Sequence, residues 1–464
     1  MLELTPFSEL NRLFDKKLSS EDVYVTEGKS FIKIFQQGLS YASNKDESKL
    51  IKNYLSLPAF VQVGIMRVKA MLRKPMPSIL ADTPYLIIEP NRFIADKEGL
   101  YHSIYFENIA KTVGIDRVTW VNKKKDNRFP TSFALNQLPH QYPAPDSTEI
   151  AFLNVILKTL KKLHADARFT PREKAHIQSC FHIYYDDFRF YYRLFKGSNV
   201  KCVLFICHYQ TEGLMAALKV LGITSVEAQH GLIAQNDLYY SYKHHFANGL
   251  KNADFPDHIL VYGSYWKSLL LRGCEFDATQ IHVAGDYFWR NPSLSAPVEK
   301  KNTVLICAQK TMHEEYVGYA HKMLPVLKQH PDWHWIIKLH PLEANKALYA
   351  PLKELGFEII DAERTLDDLL HECRIQISIY STTFYDALGF DVVNFSLQNY
   401  GTHSDYAADM LREQVALPLS IEENPIERYF AEKASPSALL QRDEVYPPFD
   451  AHAVKQLLES CIRS

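Results

Sequence analysis

From residue 302 onward the chain repeats one pattern, a short apolar run followed by an amphipathic stretch, and that pattern admits few folds. NTVLICAQ (302–309) opens it. Strand-like runs follow at 333–340, 357–361, 375–380 and 392–396, with helical stretches at 313–329, 343–355, 365–373 and 382–390 between them. Regular βα alternation implies a parallel sheet with helices on both faces. The same alternation runs earlier, with strands at 84–93, 117–121, 201–210, 224–231, 259–263 and 281–285 and helices at 103–114, 211–222 and 266–273. A chain of 464 residues is too long for one ordinary core. The expectation is an α/β protein of two Rossmann-like domains facing a cleft, the natural place for a ligand. Residues 1–80 read as a helical N-terminal region, 81–292 as the first domain and 293–440 as the second. A hinge is expected in the Pro-containing loop at 286–302, and 441–464 as a C-terminal helix packing back on the first domain.

Lys and Arg number 52 against 54 Asp and Glu, a balance that argues against nucleic-acid binding, which needs a basic surface. Seven cysteines form no C-x-x-C pair and read as buried reduced thiols of a cytoplasmic protein. No signal peptide and no apolar run long enough to span a bilayer is visible. The segment 54–75 mixes apolar residues with Arg67, Lys69, Arg73 and Lys74. It is open to two readings, a packed helix with solvated basic residues or a helix lying on the inner face of the membrane. A helical region at 148–196 carries the aromatic run FHIYYDDFRFYYRLF, a stripe expected in the core.

Chemistry concentrates where the expected strands stop. WHWIIKLHP ends in His340 and Pro341, with Lys338 on the same face two residues back. IQISIYSTTFYDALGF passes from a strand through Ser381, Thr382 and Thr383 into a helix bearing Asp386. Ligands of open parallel sheets bind outside the carboxyl ends of the strands. A helix start there offers free N–H groups to a phosphate. Each residue also has a plain structural reading: His340 as a turn cap, the hydroxyls as N-caps, Asp386 as a solvated charge. Lys310 and His313, after the strand at 302–309, are candidates for neutralising a donor's charge. In the first domain Glu212 opens a helix directly after a strand, and His230 ends the neighbouring strand between Gln229 and Gly231. Glycine after it allows a tight turn and close ligand approach. Glu212 and His230 are thus two candidate bases, with Gln229 and Gly231 on the acceptor side. No D-x-D, H-E-x-x-H or Cys/His ligand spacing is present, so no metal site is expected.

The order HYQTEG, VEAQHG, KLHP and YSTTFYDAL resembles bacterial surface-polysaccharide glycosyltransferases of the GT-B type. It is most similar to those using CMP-activated acidic sugars, the polysialyltransferases and the capsule and lipopolysaccharide Kdo transferases. The matching residues are Glu212-Gly213, His340-Pro341 and Ser381-Thr382; a single acid stands where that family often has a pair. The resemblance implies Glu212 as the base, the other two motifs on the donor phosphate, and inverting transfer without metal or cofactor. The partners it implies are a CMP-linked sugar donor and a glycan or glycolipid acceptor. The same KLHP, His-Gly and Ser/Thr-rich runs are similar to glycerophosphotransferases that use CDP-glycerol. The alternatives are therefore phosphotransfer from CDP-glycerol or CDP-ribitol, a UDP-sugar 2-epimerase of the same two-domain plan, and a non-catalytic glycan- or nucleotide-binding subunit.

Overall fold

The structure, a computed structural model, describes residues 12–14, 16–18, 24–27, 29–43, 82–96, 98–122, 133–135, 145–234, 240, 255–273, 276–289, 299–309, 312–341, 343–361, 363–398, 404–432 and 440–463. The basic segment at 54–75, most of the expected hinge, and Lys310 lie outside the described residues. The described residues form two compact units. One lies within Met1–His230, Leu238–Arg290 and Pro448–Ser464, the other within Gly231–Asp237 and Asn291–Pro447.

The first unit is built on seven parallel strands: β1 (Tyr85–Glu89), β2 (Val118–Asn122), β3 (Phe133–Ala134), β4 (Cys202–Phe205), β5 (Thr224–Ala228), β6 (His258–Val261) and β7 (Ile281–Val283). They lie in the order β7-β6-β5-β4-β1-β2-β3. The chain begins in the middle at β1, moves outward, and returns to the other side of β1 as β4. Strands β1, β2 and β4 are buried along their whole length, as strands covered on both faces must be. The reversal between β1 and β4 is the topological switch of a doubly wound sheet.

The helical region expected at 148–196 is two helices, Ser147–Ala165 and Pro171–Phe195. The break is written in local chemistry. Thr170 and Glu173 form a capping box with Pro171 at the first helical position, and Asp146 and Glu149 form another ahead of the first helix. The aromatic stripe lies in the core. Phe181, Tyr184, Tyr185, Phe188 and Phe195 are all buried, and Phe188 stacks on Phe152 with centroids 3.8 Å apart.

Helix Ile32–Ser43 and helix Glu212–Leu221 both pack on helix Pro171–Phe195 at backbone distance. A Cβ on Gly38 would stand 2.5 Å from the Ile177 Cα, and one on Gly213 would stand 2.6 Å from the Phe188 N. Gly213 therefore has a packing role of its own, whatever its neighbour Glu212 does. The C-terminal helix, Ala451–Cys461, lies on helix Glu107–Val113 of the same unit. It is tied by Tyr85, whose hydroxyl donates to the Leu458 carbonyl at 3.1 Å.

The second unit has six parallel strands: β8 (Thr303–Cys307), β9 (His334–Lys338), β10 (Glu358–Ile360), β11 (Ile375–Ser378), β12 (Val393–Leu397) and β13 (Leu417–Leu419). Their order is β10-β9-β8-β11-β12-β13, with the switch between β8 and β11. Five of the six were expected. The sixth, β13, is three residues long with Pro418 in it, which an edge strand tolerates and a sequence pattern hides. Two Rossmann-like units in series, a helical N-terminal part and a C-terminal helix returned to the first unit make the expected GT-B class of fold. Among the described residues, no helix is long and apolar enough to cross a membrane.

Candidate functional site

Both sheets gather polar side chains at the carboxyl ends of their central strands. In the first unit β4 runs out at Phe205, and Cys207 follows with φ +62°, a left-handed conformation uncommon for a residue with a side chain. That turn feeds the 3-10 helix His208–Gln210 and then helix Glu212–Leu221. The Cys207 Sγ lies 3.3 Å from Nε2 of His230, and the Tyr209 hydroxyl lies 3.4 Å from the same nitrogen. Tyr105 donates to the His230 carbonyl at 3.2 Å and sets its ring edge-on to the imidazole. His230 thus sits half-buried in a cluster of polar aromatic and thiol groups.

Glu212 is held differently. Its Oε1 accepts from Nε2 of Gln37 at 2.7 Å, and the Lys33 ammonium stands 4.0 Å away. Both partners come from helix Ile32–Ser43, so this carboxylate also ties the N-terminal helix to the strand-end turn. Gln229 is fully buried: its side chain accepts from the Tyr262 N–H at 3.1 Å, and its carbonyl takes the hydroxyls of Tyr262 and Tyr287, both at 2.6 Å. It braces the edge through these bonds. Gly231 lies in a bend after His230. Its φ is not left-handed and a Cβ there would meet open space.

Besides the Tyr240 phenol, three buried groups at this edge went unassigned in the sequence. His208 Nδ1 lies 2.5 Å from Glu227 Oε2, and the Tyr240 hydroxyl donates to the other Glu227 oxygen at 2.8 Å. Burial pushes the Glu227 carboxyl up, but the charge of His208 and the hydrogen bonds of His208 and Tyr240 prevail and hold it below the usual carboxylate range. Glu89 is the third, at the carboxyl end of β1 and so at the switch itself. Its two oxygens accept from the Ser103 hydroxyl and from the Arg92 N–H at 3.1 Å. Burial nevertheless pushes its carboxyl up to about 7. The signal was an acid closing the apolar run YLII, which periodicity alone treats as a strand end.

Glu89 has a consequence for stability. The folded chain keeps a proton on this carboxyl that the unfolded chain releases near its ordinary value of 4.5. Its contribution to stability is therefore largest at low pH, falls as pH rises from about 4.5 towards about 7, and is level above that. The shift corresponds to about 3 kcal/mol at about 1.4 kcal/mol per pH unit. Glu89→Gln, which mimics the protonated acid, is expected to flatten this decline in urea unfolding measured from pH 5 to pH 8. An unchanged slope would show that Glu89 does not titrate in that window.

In the second unit the loop after β11 is fixed to the end of β8. The Tyr316 hydroxyl lies 2.9 Å from both Gln309 Oε1 and Ser378 Oγ and accepts from the Ile379 N–H at 3.1 Å. Gln309 also accepts from the Tyr380 N–H at 3.3 Å. Burial keeps the Tyr316 phenol far above its ordinary value, so it stays a neutral pin. Ser381 Oγ accepts from the Thr383 N–H at 3.3 Å, and the Thr383 hydroxyl accepts from Gln376.

The helix expected at 382–390 is only Thr383–Asp386. Gly389 at φ +86° and Asp391 at φ +52° turn the chain away. Thr382 has helical backbone angles and makes no side-chain cap bond. The dipole of a long helix, expected to assist a phosphate, is therefore not available. What remains is a short turn presenting the half-buried Ser381 and Thr382.

His340 follows β9, and its carbonyl accepts from the Glu343 N–H at 2.9 Å. His313 opens helix His313–Lys322 and meets the Asn345 amide at 3.3 Å. Pro341 is exposed, and Asp386 is half-buried in its short helix. Lys338 turns towards the far side of β9, where its ammonium donates to the Asp361 carbonyl after β10; burial lowers its pKa. The structure thus lines up β9, β8 and β11 as neighbours, with His340, Gln309 and Ser381–Thr382 at their ends. Among the described residues, no three His, Cys, Asp or Glu side chains are grouped to hold a metal ion.

No protein-family model matches the chain. No curated protein matches it in sequence. Among solved structures it is similar to the UDP-GlcNAc 2-epimerase of Neisseria meningitidis bound to UDP-GlcNAc, at 12% identity and a TM-score of 0.47 over 82% of this chain and 99% of that one. The Methanocaldococcus jannaschii UDP-GlcNAc 2-epimerase in complex with UDP-GlcNAc and UDP is similar at 10% identity and a TM-score of 0.46, covering 82% of this chain and 99% of that one. The spinosyn rhamnosyltransferase SpnG, complexed with spinosyn aglycone, is similar at 10% identity and a TM-score of 0.41, covering 82% and 96%.

Proposed function

We propose that the protein is a nucleotide-sugar-dependent glycosyltransferase, inverting and metal-independent, that adds an acidic sugar such as Kdo or a sialic-acid-like residue from a cytidine nucleotide to a surface-polysaccharide acceptor. The observation that carries the reading is the strand-end row of the second unit, where His340, Gln309 and Ser381–Thr382 stand on three adjacent parallel strands beside the switch. In this reading His340, Ser381 and Thr382 donate to the donor's phosphate. Lys310 and His313 neutralise its charge, and Asp386 takes a ribose or sugar hydroxyl. Lys338, committed to Asp361, acts at a distance through its charge. The first unit supplies the base that removes the acceptor's proton.

One observation favours a second reading. His340 and Ser381 belong to strands separated by β8, which places their strand ends about 10 Å apart at ordinary sheet spacing. A diphosphate-linked donor spans that better than a single phosphate. That favours a UDP-sugar enzyme, a 2-epimerase included, or phosphotransfer from CDP-glycerol or CDP-ribitol. Phosphorus NMR of the product separates phosphotransfer from glycosyl transfer, and turnover without an acceptor identifies an epimerase.

The base is tested by two substitutions, each checked by thermal melting. If Glu212 is the base, Glu212→Gln abolishes transfer while nucleotide binding persists. If Glu212→Gln turns over normally and His230→Ala does not, the base is His230. Activity retained in both folded variants would remove the proposed site.

A further inference from the structure

Three successive residues of the turn after β4 divide between two partners. Cys207 and Tyr209 both reach His230: the sulfur lies 3.3 Å and the hydroxyl 3.4 Å from its Nε2. His208, between them, is fully buried and meets Glu227 instead. Its Nδ1 lies 2.5 Å from Glu227 Oε2, and its backbone N–H donates to Glu227 Oε1 at 3.4 Å. The Tyr240 hydroxyl donates to the same Oε1 at 2.8 Å. Glu227 is itself fully buried, the last residue but one of β5, in register with Phe205 of β4. Tyr240, Phe255 and Phe276 crowd the His208 ring, with centroids 5.1, 5.7 and 6.0 Å away.

The turn needs such a lock. Cys207 has φ +62° and ψ +62°, a conformation that persists in a residue with a side chain only where its surroundings over-determine it. Its carbonyl accepts from the Gln210 N–H at 2.9 Å and the Thr211 hydroxyl at 3.2 Å, which ties the turn to the residues that follow it. Glu227 ties it to the neighbouring strand. A buried carboxylate held by a histidine and a tyrosine is costly to separate from either, so it acts as a rigid clamp.

We propose that Glu227 is a positioning residue for His230: it fixes the turn Cys207–Tyr209, and the turn fixes the imidazole. This rests on the reading that His230, one of the two candidate bases, serves the transfer reaction. Without the charge of Glu227, His208 is released and the turn relaxes. The sulfur and the hydroxyl that seat the imidazole then move with it. Misplacing a catalytic group by about 1 Å can slow a reaction about 100-fold. In the same reading the donor is held by the second unit, so its binding is unaffected.

The test uses Glu227→Gln, which keeps the side chain's shape and an acceptor for Tyr240 but removes the charge that His208 meets. Imidazole NMR signals are recorded on the full chain with labelled histidine, those of His230 being assigned by their loss in His230→Ala. The His230 signals are expected to move in Glu227→Gln while thermal melting stays cooperative. Tyr209→Phe, which removes one of the two contacts, should move the same signals. In transfer assays Glu227→Gln is expected to lower kcat at least about tenfold with the KM for donor unchanged. It should add nothing to the loss in His230→Ala, because effects carried through one residue are not additive. Should Glu227→Gln fail to fold, Glu227→Asp keeps the charge but draws it back by a methylene, and should move the same signals. Unmoved His230 signals in a folded Glu227 variant would overturn the proposal. So would a loss from Glu227→Gln as large in His230→Ala as in wild type. The ring signals need no turnover: a chain that transfers no sugar would refute the proposed function, and the spectra alone would then decide the role of Glu227.

Discussion

Replacing Glu149 with alanine is expected to cost the first unit about 3–5 kcal/mol, the usual consequence of removing one member of a buried ionic cluster. Glu149 is fully buried in the first turn of its helix. One oxygen accepts from Nε of Arg189 at 2.9 Å, and the other pairs with Arg193. That second oxygen also accepts from the Asp146 N–H at 2.9 Å, the returning half of the capping box. Arg189 and Arg193 belong to helix Pro171–Phe195, so this carboxylate fastens the two long helices together. The substitution leaves two guanidinium groups short of the buried charge that faces them and removes half of the cap. A loss of this size is a large part of the roughly 5–15 kcal/mol that holds a domain folded. Urea unfolding followed by circular dichroism measures it. Replacing Glu149, Arg189 and Arg193 together by leucine should recover most of the loss, since no charge is then left behind. A drop below about 1 kcal/mol for Glu149→Ala would mean that the arginines find other compensation.

The second large effect concerns the donor. His340→Ala is expected to slow transfer by about 100- to 1000-fold, the scale on which one preorganised donor to a developing anion contributes, about 2–4 kcal/mol. His340 lies on a loop whose backbone is held by Glu343, and that bond is to the main chain, so the substitution leaves the loop's own anchor in place. The loss should appear in kcat with nucleotide-sugar as donor, while the melting temperature changes little. Unaltered kinetics would take His340 out of the phosphate site.

The parallel-strand framework was legible because both sheets are buried on two faces, and such strands read as nearly continuous apolar runs. The runs YLII, VLF and VLIC sit where their patterns place them. Helix bounds were less so. The region 148–196 splits at Asp166–Thr170 because the Thr170–Glu173 capping box and Pro171 outweigh the continuous helical pattern. The stretch 382–390 shortens to one turn because Gly389 and Asp391 adopt left-handed angles that no periodicity reveals. Strand ends were visible in the sequence, but the partners of the side chains there were not. Glu212 meets Lys33 and Gln37, nearly two hundred residues earlier in the chain. Gln229 looks like a site residue and also holds Tyr262 through its side chain and Tyr287 through its carbonyl. Glu89 looks like the end of a strand and is a buried acid at the switch point.

The claim that the second unit holds a nucleotide-linked donor is tested most directly by calorimetric titration of the full chain with CMP, CDP, UDP and GDP in parallel. The measurement is repeated on His340→Ala and on Ser381→Ala with Thr382→Val. The account predicts saturable binding of a pyrimidine nucleotide, weakened at least tenfold by each set of substitutions. A cytidine preference supports the transferase reading and a uridine preference the second one. Absence of binding for all four nucleotides, or binding that both sets of substitutions leave unchanged, would contradict it.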